Sequence, residues 1–133
     1  MITGCCPCGA VRYRIEVPIG PVTPCHCTQC RKSTGHFSAA TPVKWDDLAL
    51  EGDLTWYESS PGKARRGFCG TCGSYMIWEE FDGLAYVSAG TMDNPTGLRV
   101  DAHIFYANKG DYYRCDDGVP CYTQGRSSEQ VAP

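Results

Sequence analysis

Cysteine spacing is the feature of this chain that most restricts what it can fold into. Ten of the 133 residues are cysteine, and eight of them stand within three positions of another cysteine. Disulfide frameworks are the alternative, but they usually tie distant segments together, whereas closely spaced thiols can share one ion. The spacing therefore predicts cysteine-ligated metal rather than a disulfide scaffold. The three groups are Cys5, Cys6 and Cys8; Cys25, Cys27 and Cys30; and Cys69 and Cys72, while Cys115 and Cys121 lack such spacing and are predicted to be free thiols.

Zinc is the metal that this donor set favours, with an iron–sulfur cluster as the alternative. A closed structural zinc site has four ligands arranged as a tetrahedron. The segment Cys69-Gly70-Thr71-Cys72-Gly73 has the form of a zinc knuckle, a tight turn that aims two sulfurs at one ion. The other two ligands come either from Cys6 and Cys8 or from the middle group, and Cys5 competes with Cys6. Spacing alone leaves this partition open.

The middle group, Cys25-His26-Cys27-Thr28-Gln29-Cys30, allows two kinds of zinc site. A closed site needs a fourth ligand, for which His26, His36 and His103 are the candidates. Alternatively, the fourth position stays exchangeable, which is typical of catalytic zinc. We expect the His26 side chain to point away from the ion, because adjacent side chains in an extended segment face opposite ways. With the fourth position open, this group becomes the candidate catalytic centre.

Charge and hydrophobicity exclude several classes of function. The formal net charge is −3 and no run of Lys and Arg exceeds two residues, which argues against nucleic acid as a partner. Apolar stretches are only a few residues long, far below the roughly 20 residues that cross a bilayer, so no membrane association is expected. The first residues show no export signal, and we therefore expect a cytoplasmic protein with reduced cysteines.

Sequence periodicity predicts a mainly β fold. Residues 11–17 alternate apolar with charged side chains, as a half-buried strand does. Short helical turns are predicted over residues 31–35 and 44–48. We expect a single metal-organised domain over residues 1–122, followed by a disordered tail over 123–133. Further strands are predicted over residues 37–41, where Pro42 ends the strand, and over 54–58, 65–68, 75–79, 84–89 and 98–106.

Four polar residues are candidates for substrate chemistry. His103 lies in the predicted strand 98–106 and is either a solvated or hydrogen-bonded histidine or an acid–base group beside the open zinc site. Arg31 and Lys32 directly follow Cys30, a position from which they can hold the carboxylates of an anionic ligand. Arg65 is a candidate for the same role.

Five segments of the chain match the motifs of a known family and occur in the same order as in that family. Through these segments the chain resembles the glutathione-dependent formaldehyde-activating enzyme family, also called the GFA/CENP-V family. The resemblance covers roughly residues 4–113, and its CHC-x-x-CRK-x-x-G run is highly specific. The segments are GCCPCGAVRY at 4–13, CHCTQCRKSTGHFSA at 25–39, RGFCGTCGS at 66–74, GTMD at 90–93, and His103-Ile104.

This resemblance implies an Mss4-like fold of coiled antiparallel β-sheets organised around cysteine-ligated zinc, with two zinc ions per chain. Cys5 stands at a position that the family leaves variable. One departure is that the family usually has a tryptophan some residues after the His-Ile pair, where this chain has Tyr112 or Tyr113. By the resemblance, the structural zinc ligands are Cys6, Cys8, Cys69 and Cys72, and the catalytic zinc ligands are Cys25, Cys27 and Cys30.

The resemblance also implies an activity, that of a zinc-dependent carbon–sulfur lyase. The enzyme would act on a thiol such as glutathione and a small aldehyde such as formaldehyde, forming or cleaving an S-hydroxymethyl adduct. Arg31, Lys32 or Arg65 would hold the glutathione carboxylates, and His103 would pass a proton to the alkoxide. The alternative is a non-catalytic, zinc-stabilised binding module or glutathione carrier, because a fold does not settle function. The negative net charge disfavours a chromatin role of the CENP-V kind. No oligomeric state is predicted.

Overall fold

Short antiparallel strands make up most of the structure, a computed structural model that describes residues Met1–Pro133. The longest helix has seven residues, so the predicted mainly β class is confirmed. The chain divides into two units: Met1–Gly20 with Thr41–Gly97, called here the first unit, and Pro21–Ala40 with Leu98–Pro133, the second unit. None of the helices has the length and apolar character needed to span a membrane.

The first unit begins with a three-stranded antiparallel sheet. Its strands are β1 (Ile2–Cys5), β2 (Arg12–Ile15) and β5 (Leu48–Glu51), with β2 in the middle. Along β2 the side chains of Tyr13 and Ile15 are buried while the two arginines are exposed. This alternation confirms the sequence prediction over residues 11–15, but the strand is shorter than the predicted 11–17. The turn after Cys6 extends to Val11, and Val17, an apolar position of the predicted pattern, is 39% exposed.

The same unit contains a four-strand antiparallel meander. Its strands follow one another in space as in the sequence: β6 (Leu54–Ser60), β7 (Ala64–Cys69), β8 (Tyr75–Glu79) and β9 (Leu84–Ser88). All four strands were predicted from the sequence. Met76, Ile77 and Val87 are fully buried and form part of the core. Cys69 ends β7, and Cys72 lies in the turn between β7 and β8.

The second unit places a short strand and a short helix around the middle cysteines. Strand β3 (Thr23–Cys25) pairs antiparallel with the first three residues of β4 (Ser38–Lys44), and helix α1 (Thr28–Thr34) lies between them in sequence. Gly35 ends the helix in the left-handed conformation, with φ of +85°. The helical turn predicted over 31–35 is thus present but begins earlier. The second predicted turn is a 3₁₀ helix over Trp45–Asp47.

Two predicted features of the strands differ in the structure. Strand β4 continues through Pro42, which lies beyond Ala40, where the pairing with β3 ends, so its missing N–H removes no hydrogen bond to β3. The strand predicted over 98–106 is wrong. Val100, His103 and Ile104 each form an isolated bridge, with Val22, Cys121 and Cys25 respectively. Val22 and Cys25 lie in one segment that runs parallel to residues 100–104, but three positions separate Val22 from Cys25 and four separate Val100 from Ile104. The register therefore shifts by one residue between the two bridges, and no continuous ladder forms.

The last residues also contain regular structure. Where the sequence predicts a disordered tail from residue 123, strand β10 (Cys121–Tyr122) pairs antiparallel with β11 (Gln130–Val131). The backbone N–H of Thr123 donates to the carbonyl of Glu129 at 2.9 Å, which extends this hairpin. The boundary of a single domain at residue 122 stays a prediction.

Candidate metal centres

Four cysteines of the first unit converge on one point. The sulfurs of Cys6, Cys8, Cys69 and Cys72 all lie within 4.8 Å of one another. The Cys6 and Cys8 sulfurs are 3.5 Å apart, and those of Cys8 and Cys69 are 3.7 Å apart. Four sulfurs placed tetrahedrally at the usual Zn–S distance of ~2.3 Å stand about 3.8 Å from each other. The spacing of these sulfurs therefore fits a closed tetrahedral zinc site.

Two tight turns aim these sulfurs. In the first, the N–H of Gly9 donates to the carbonyl of Cys6 at 3.0 Å, and Gly9 adopts a φ of +77° that favours glycine. In the second, the N–H of Gly73 donates to the carbonyl of Cys69 at 2.8 Å, with a φ of +76°. Both turns fold the chain back within five residues, so each presents a pair of thiols on one side.

Hydrogen bonds and neighbouring thiols shift the pKa values of the Cys6 and Cys8 thiols in opposite directions. The backbone N–H of Val11 donates to the Cys6 sulfur at 3.3 Å and, outweighing burial, lowers the pKa of Cys6 to about 6. At Cys8 the backbone N–H of Ala10 acts in the same direction, but the neighbouring thiols and burial outweigh it and raise the pKa of Cys8 to about 12. The thiols thus compete for negative charge, and four thiolates together require a cation.

Three cysteines of the second unit form another convergent group. Cys25 ends β3, Cys27 is the residue that caps the N-terminus of α1, and Cys30 lies in the helix; their sulfurs are within 4.8 Å of one another. The N–H of Cys30 donates to the Cys27 sulfur at 3.3 Å. Hydrogen bonding with the Cys27 and Cys30 thiols raises the pKa of Cys25. No histidine belongs to this group, so its donor set is three sulfurs.

Two of the three histidines that the sequence offers as a fourth ligand, His26 and His103, are bonded to other residues. His26 and His103 are 0% and 2% exposed, and His26 Nε2 lies 2.9 Å from His103 Nδ1. His26 Nδ1 is hydrogen-bonded to the hydroxyl of Tyr113, and His103 Nε2 lies 2.8 Å from an Asp117 carboxylate oxygen. Burial, together with repulsion from His103, lowers the pKa of His26 to about 4. The ring of His26 is therefore neutral at neutral pH.

Comparison with known proteins identifies the family of this fold and these cysteine groups. Residues 1–108 match the family model described as "Glutathione-dependent formaldehyde-activating enzyme". The chain belongs to this family. A Halomonas elongata protein named "Putative glutathione-dependent formaldehyde-activating enzyme" is 29% identical over an alignment of 145 positions, gaps included, and the alignment covers 90% of this chain and 89% of that protein. The crystal structure of a Rhodobacter sphaeroides protein matches with a TM-score of 0.59 and 28% identity, covering 69% of this chain and 88% of that one.

The basic residues predicted to bind substrate have different surroundings in this formaldehyde-activating-enzyme family member. Arg31 and Lys32 lie in the last turn of α1, one and two positions after Cys30, and the Lys32 side chain is exposed. Arg65 lies in the first unit, where its Nε donates to the carboxylate of Glu79 at 2.7 Å and its guanidinium stacks on the Trp56 ring at 3.7 Å. The charge of Arg65 is thus already paired.

A third group of donor atoms in this family member was not predicted from the sequence. The ring nitrogens of His26 and His103 and the sulfur of Cys115 lie within 4.8 Å of one another. All four imidazole nitrogens already take part in hydrogen bonds, however, so the group is a hydrogen-bonded network in this structure. Its other members, Tyr113 and Asp117, lie beyond the residues that match the family model.

Proposed function

We propose that this protein is a zinc-dependent enzyme of the carbon–sulfur lyase type that joins the thiol of glutathione to formaldehyde or cleaves the resulting adduct. The proposal rests on the sulfurs of Cys25, Cys27 and Cys30, which converge as a group of three without a fourth protein ligand. The family name and the name of the Halomonas elongata relative support glutathione and formaldehyde as the substrates.

Two zinc ions per chain are proposed, one for each cysteine group. Cys6, Cys8, Cys69 and Cys72 would hold a structural ion, because the distances between their sulfurs are compatible with tetrahedral zinc. Cys25, Cys27 and Cys30 would hold a second ion whose fourth position is open to a substrate thiol. When bound there, zinc supplies the positive charge that stabilises a thiolate at neutral pH. A chain with many closely spaced reduced thiols is suited to the cytoplasm.

The reaction needs only proton transfers and one new bond. The S–H bond of the thiol breaks, a C–S bond forms at the carbonyl carbon, and the carbonyl π electrons pass to the oxygen, which takes up a proton. The product is an S-hydroxymethyl thioether, and the reverse steps release the aldehyde. Arg31 and Lys32, with Arg65 as a third candidate, would hold the glutathione carboxylates. His103 is the proposed acid–base group, and its two ring nitrogens are hydrogen-bonded to His26 and Asp117.

A non-catalytic glutathione-binding module is the second candidate function. It is favoured by the burial of His103, whose two ring nitrogens are both hydrogen-bonded to protein groups. A carrier would use the three-cysteine group to bind the thiol and would leave the rate of adduct formation unchanged. The two functions therefore differ in turnover rather than in binding.

The test is the rate of adduct exchange between glutathione and formaldehyde, measured by NMR with and without the zinc-loaded protein. We expect the wild type to accelerate exchange above the spontaneous rate. Cys27→Ala should lose this acceleration and one zinc ion while keeping its circular dichroism spectrum. Cys5→Ala is the matched control, because Cys5 is also half-buried but belongs to no group of converging donors. Glutathione binding without acceleration by the wild type would support the carrier instead.

A further inference from the structure

Two buried histidines of the second unit face each other through their ring nitrogens. His26 Nε2 lies 2.9 Å from His103 Nδ1, and both side chains are buried. The sulfur of Cys115, a half-buried residue, completes a group of three donor atoms, one from each residue, that lie within 4.8 Å of one another. These three residues, called here the two-histidine group, share no donor atom with either cysteine group.

The outward nitrogen of each ring is hydrogen-bonded to an oxygen. His103 Nε2 lies 2.8 Å from a carboxylate oxygen of Asp117, and His26 Nδ1 is bonded to the Tyr113 hydroxyl. A carboxylate that accepts from one nitrogen of an imidazole leaves the lone pair on the other, and histidines that bind metal are commonly oriented in this way. The Tyr113 hydroxyl can accept as well as donate, so it allows the same orientation at His26. The inward nitrogens are therefore the ones available to an ion.

The separations within the two-histidine group suit a tetrahedral ion. With metal–nitrogen distances of ~2.0–2.1 Å and a metal–sulfur distance of ~2.3 Å, tetrahedral ligands stand about 3.3–3.6 Å from one another. The facing nitrogens are 2.9 Å apart and the whole group lies within 4.8 Å, so small side-chain movements bring the three donors to one ion. Only the hydrogen bond between the two rings has to give way. Imidazole nitrogen and thiolate sulfur are ligands that zinc and neighbouring transition metals accept.

We propose that His26, His103 and Cys115 form a third metal site, which takes a divalent transition-metal ion, and that Asp117 is the positioning residue that orients His103. This site binds more weakly than either cysteine group, because it offers one thiolate instead of three or four and because the ion must displace a buried hydrogen bond. It therefore fills only when metal is present in excess of the two ions that the cysteine groups hold.

An ion in this site would inhibit the proposed reaction. It would occupy the Nδ1 lone pair of His103, the proposed acid–base group, while Nε2 stays bonded to Asp117. Neither nitrogen of His103 could then exchange a proton with substrate. This inhibitory effect rests on the proposed function, whereas the metal site itself rests only on the geometry of the two-histidine group.

The first experiment titrates Co²⁺ into the full chain after both cysteine groups have been loaded with zinc. Co²⁺ is the probe because protein sites generally bind it more weakly than zinc, so the zinc stays in place, and because its thiolate complexes absorb in the near ultraviolet. We expect one Co²⁺ per chain with a sulfur-to-cobalt charge-transfer band. Cys115→Ser should lose this band. Cys121→Ser should keep it, because Cys121 is a buried thiol of the same unit that belongs to no group of converging donors.

Three results of this titration would overturn the proposal. The wild type would bind no Co²⁺, the band would persist in Cys115→Ser, or the band would appear together with released zinc, which would place the cobalt in a cysteine group. Circular dichroism shows whether each variant keeps the wild-type fold.

The second experiment tests the orientation of His103 without changing a ligand. Asp117→Asn should weaken Co²⁺ binding on the order of 10- to 100-fold, because it removes the carboxylate that directs the Nδ1 lone pair. Asp116→Asn is the matched control and should bind as the wild type does, because Asp116 is exposed and paired with Arg114. Equal affinities in the two variants would contradict the proposed site, even if Cys115→Ser failed to fold.

The third experiment measures inhibition in the glutathione–formaldehyde exchange assay, with free Co²⁺ buffered above the Kd found in the titration. We expect the rate to fall in the wild type and to stay unchanged in Cys115→Ser, whose rate without Co²⁺ should equal that of the wild type. Equal inhibition of both proteins, or inhibition of neither, would refute the inhibitory effect alone. A wild type that does not accelerate exchange without Co²⁺ would refute the proposed function, and the metal site would still be decided by the two binding experiments.

Discussion

The two cysteine groups differ in the length of chain that each would close, and this difference predicts unequal effects on stability. Cys8 and Cys69 lie 61 positions apart, whereas Cys25 and Cys30 are separated by five. The free-energy cost of closing a loop of n residues scales as 1.5 RT ln n. An ion that closes the longer loop therefore destabilises the unfolded chain relative to the folded one by about 2 kcal/mol more. Cys69→Ser should therefore lower the free energy of unfolding by at least this much more than Cys30→Ser.

The comparison is matched in burial, because Cys69 and Cys30 are 1% and 9% exposed. For a chain of this size, 2 kcal/mol corresponds to a difference of roughly 7 °C in the midpoint of thermal unfolding. Melting curves from far-ultraviolet circular dichroism, recorded on zinc-loaded protein, measure it. Cys121→Ser controls for the loss of a buried thiol, since Cys121 is 2% exposed and belongs to no group of converging donors.

Two outcomes would contradict this reasoning. If Cys69→Ser melts like the Cys121→Ser control, the four-cysteine cluster contributes nothing through metal binding. If Cys30→Ser lowers the midpoint as much as Cys69→Ser does, both ions are structural, and the open site loses its main support. The zinc content of each variant shows whether the intended ion was released.

Two further predictions concern single side chains of the first unit. Gly73→Ala should lower the free energy of unfolding by about 1 kcal/mol, because the φ of +76° at this position is unfavourable for alanine. Gly20→Ala is the control and should not lower it, because Gly20 has no positive φ and has open space around it; urea unfolding measures both variants. Arg65→Ala should lower it by about 2 kcal/mol, because it leaves the 5% exposed Glu79 carboxylate without its partner, and Arg65→Ala combined with Glu79→Gln should recover most of the loss. A higher KM for glutathione at unchanged stability would instead assign Arg65 to substrate binding.

Features encoded by neighbouring residues could be predicted from the sequence. The cysteine spacing predicted that thiols converge within each turn, because residues two or three positions apart are brought together by a single turn, whereas the pairing of Cys6 and Cys8 with Cys69 and Cys72 was implied only by the family resemblance. Likewise, the alternation of Arg12, Tyr13, Arg14 and Ile15 predicted which face of β2 is buried. In both cases the information lies within a few residues, and packing elsewhere only completes it.

Features that depend on distant contacts could not be predicted in this way. His26 and Tyr113 are separated by 87 positions, and no spacing or periodicity links them to His103 or Asp117. The segment 98–106 has the β-favouring residues of a strand, but its partners come from two parts of the chain, residues 22–25 and residue 121, and its register against the first shifts by one residue, so only isolated bridges form. Strand propensity describes single residues, whereas a ladder requires one continuous partner.

The number and identity of the bound metal ions test the central claim most directly. Elemental analysis of freshly purified full-length protein should find two zinc ions per chain, one for the four-cysteine cluster and one for the three-cysteine group. A single zinc ion per chain would contradict the claim that Cys25, Cys27 and Cys30 form a metal centre, and iron in place of zinc would contradict the proposed chemistry.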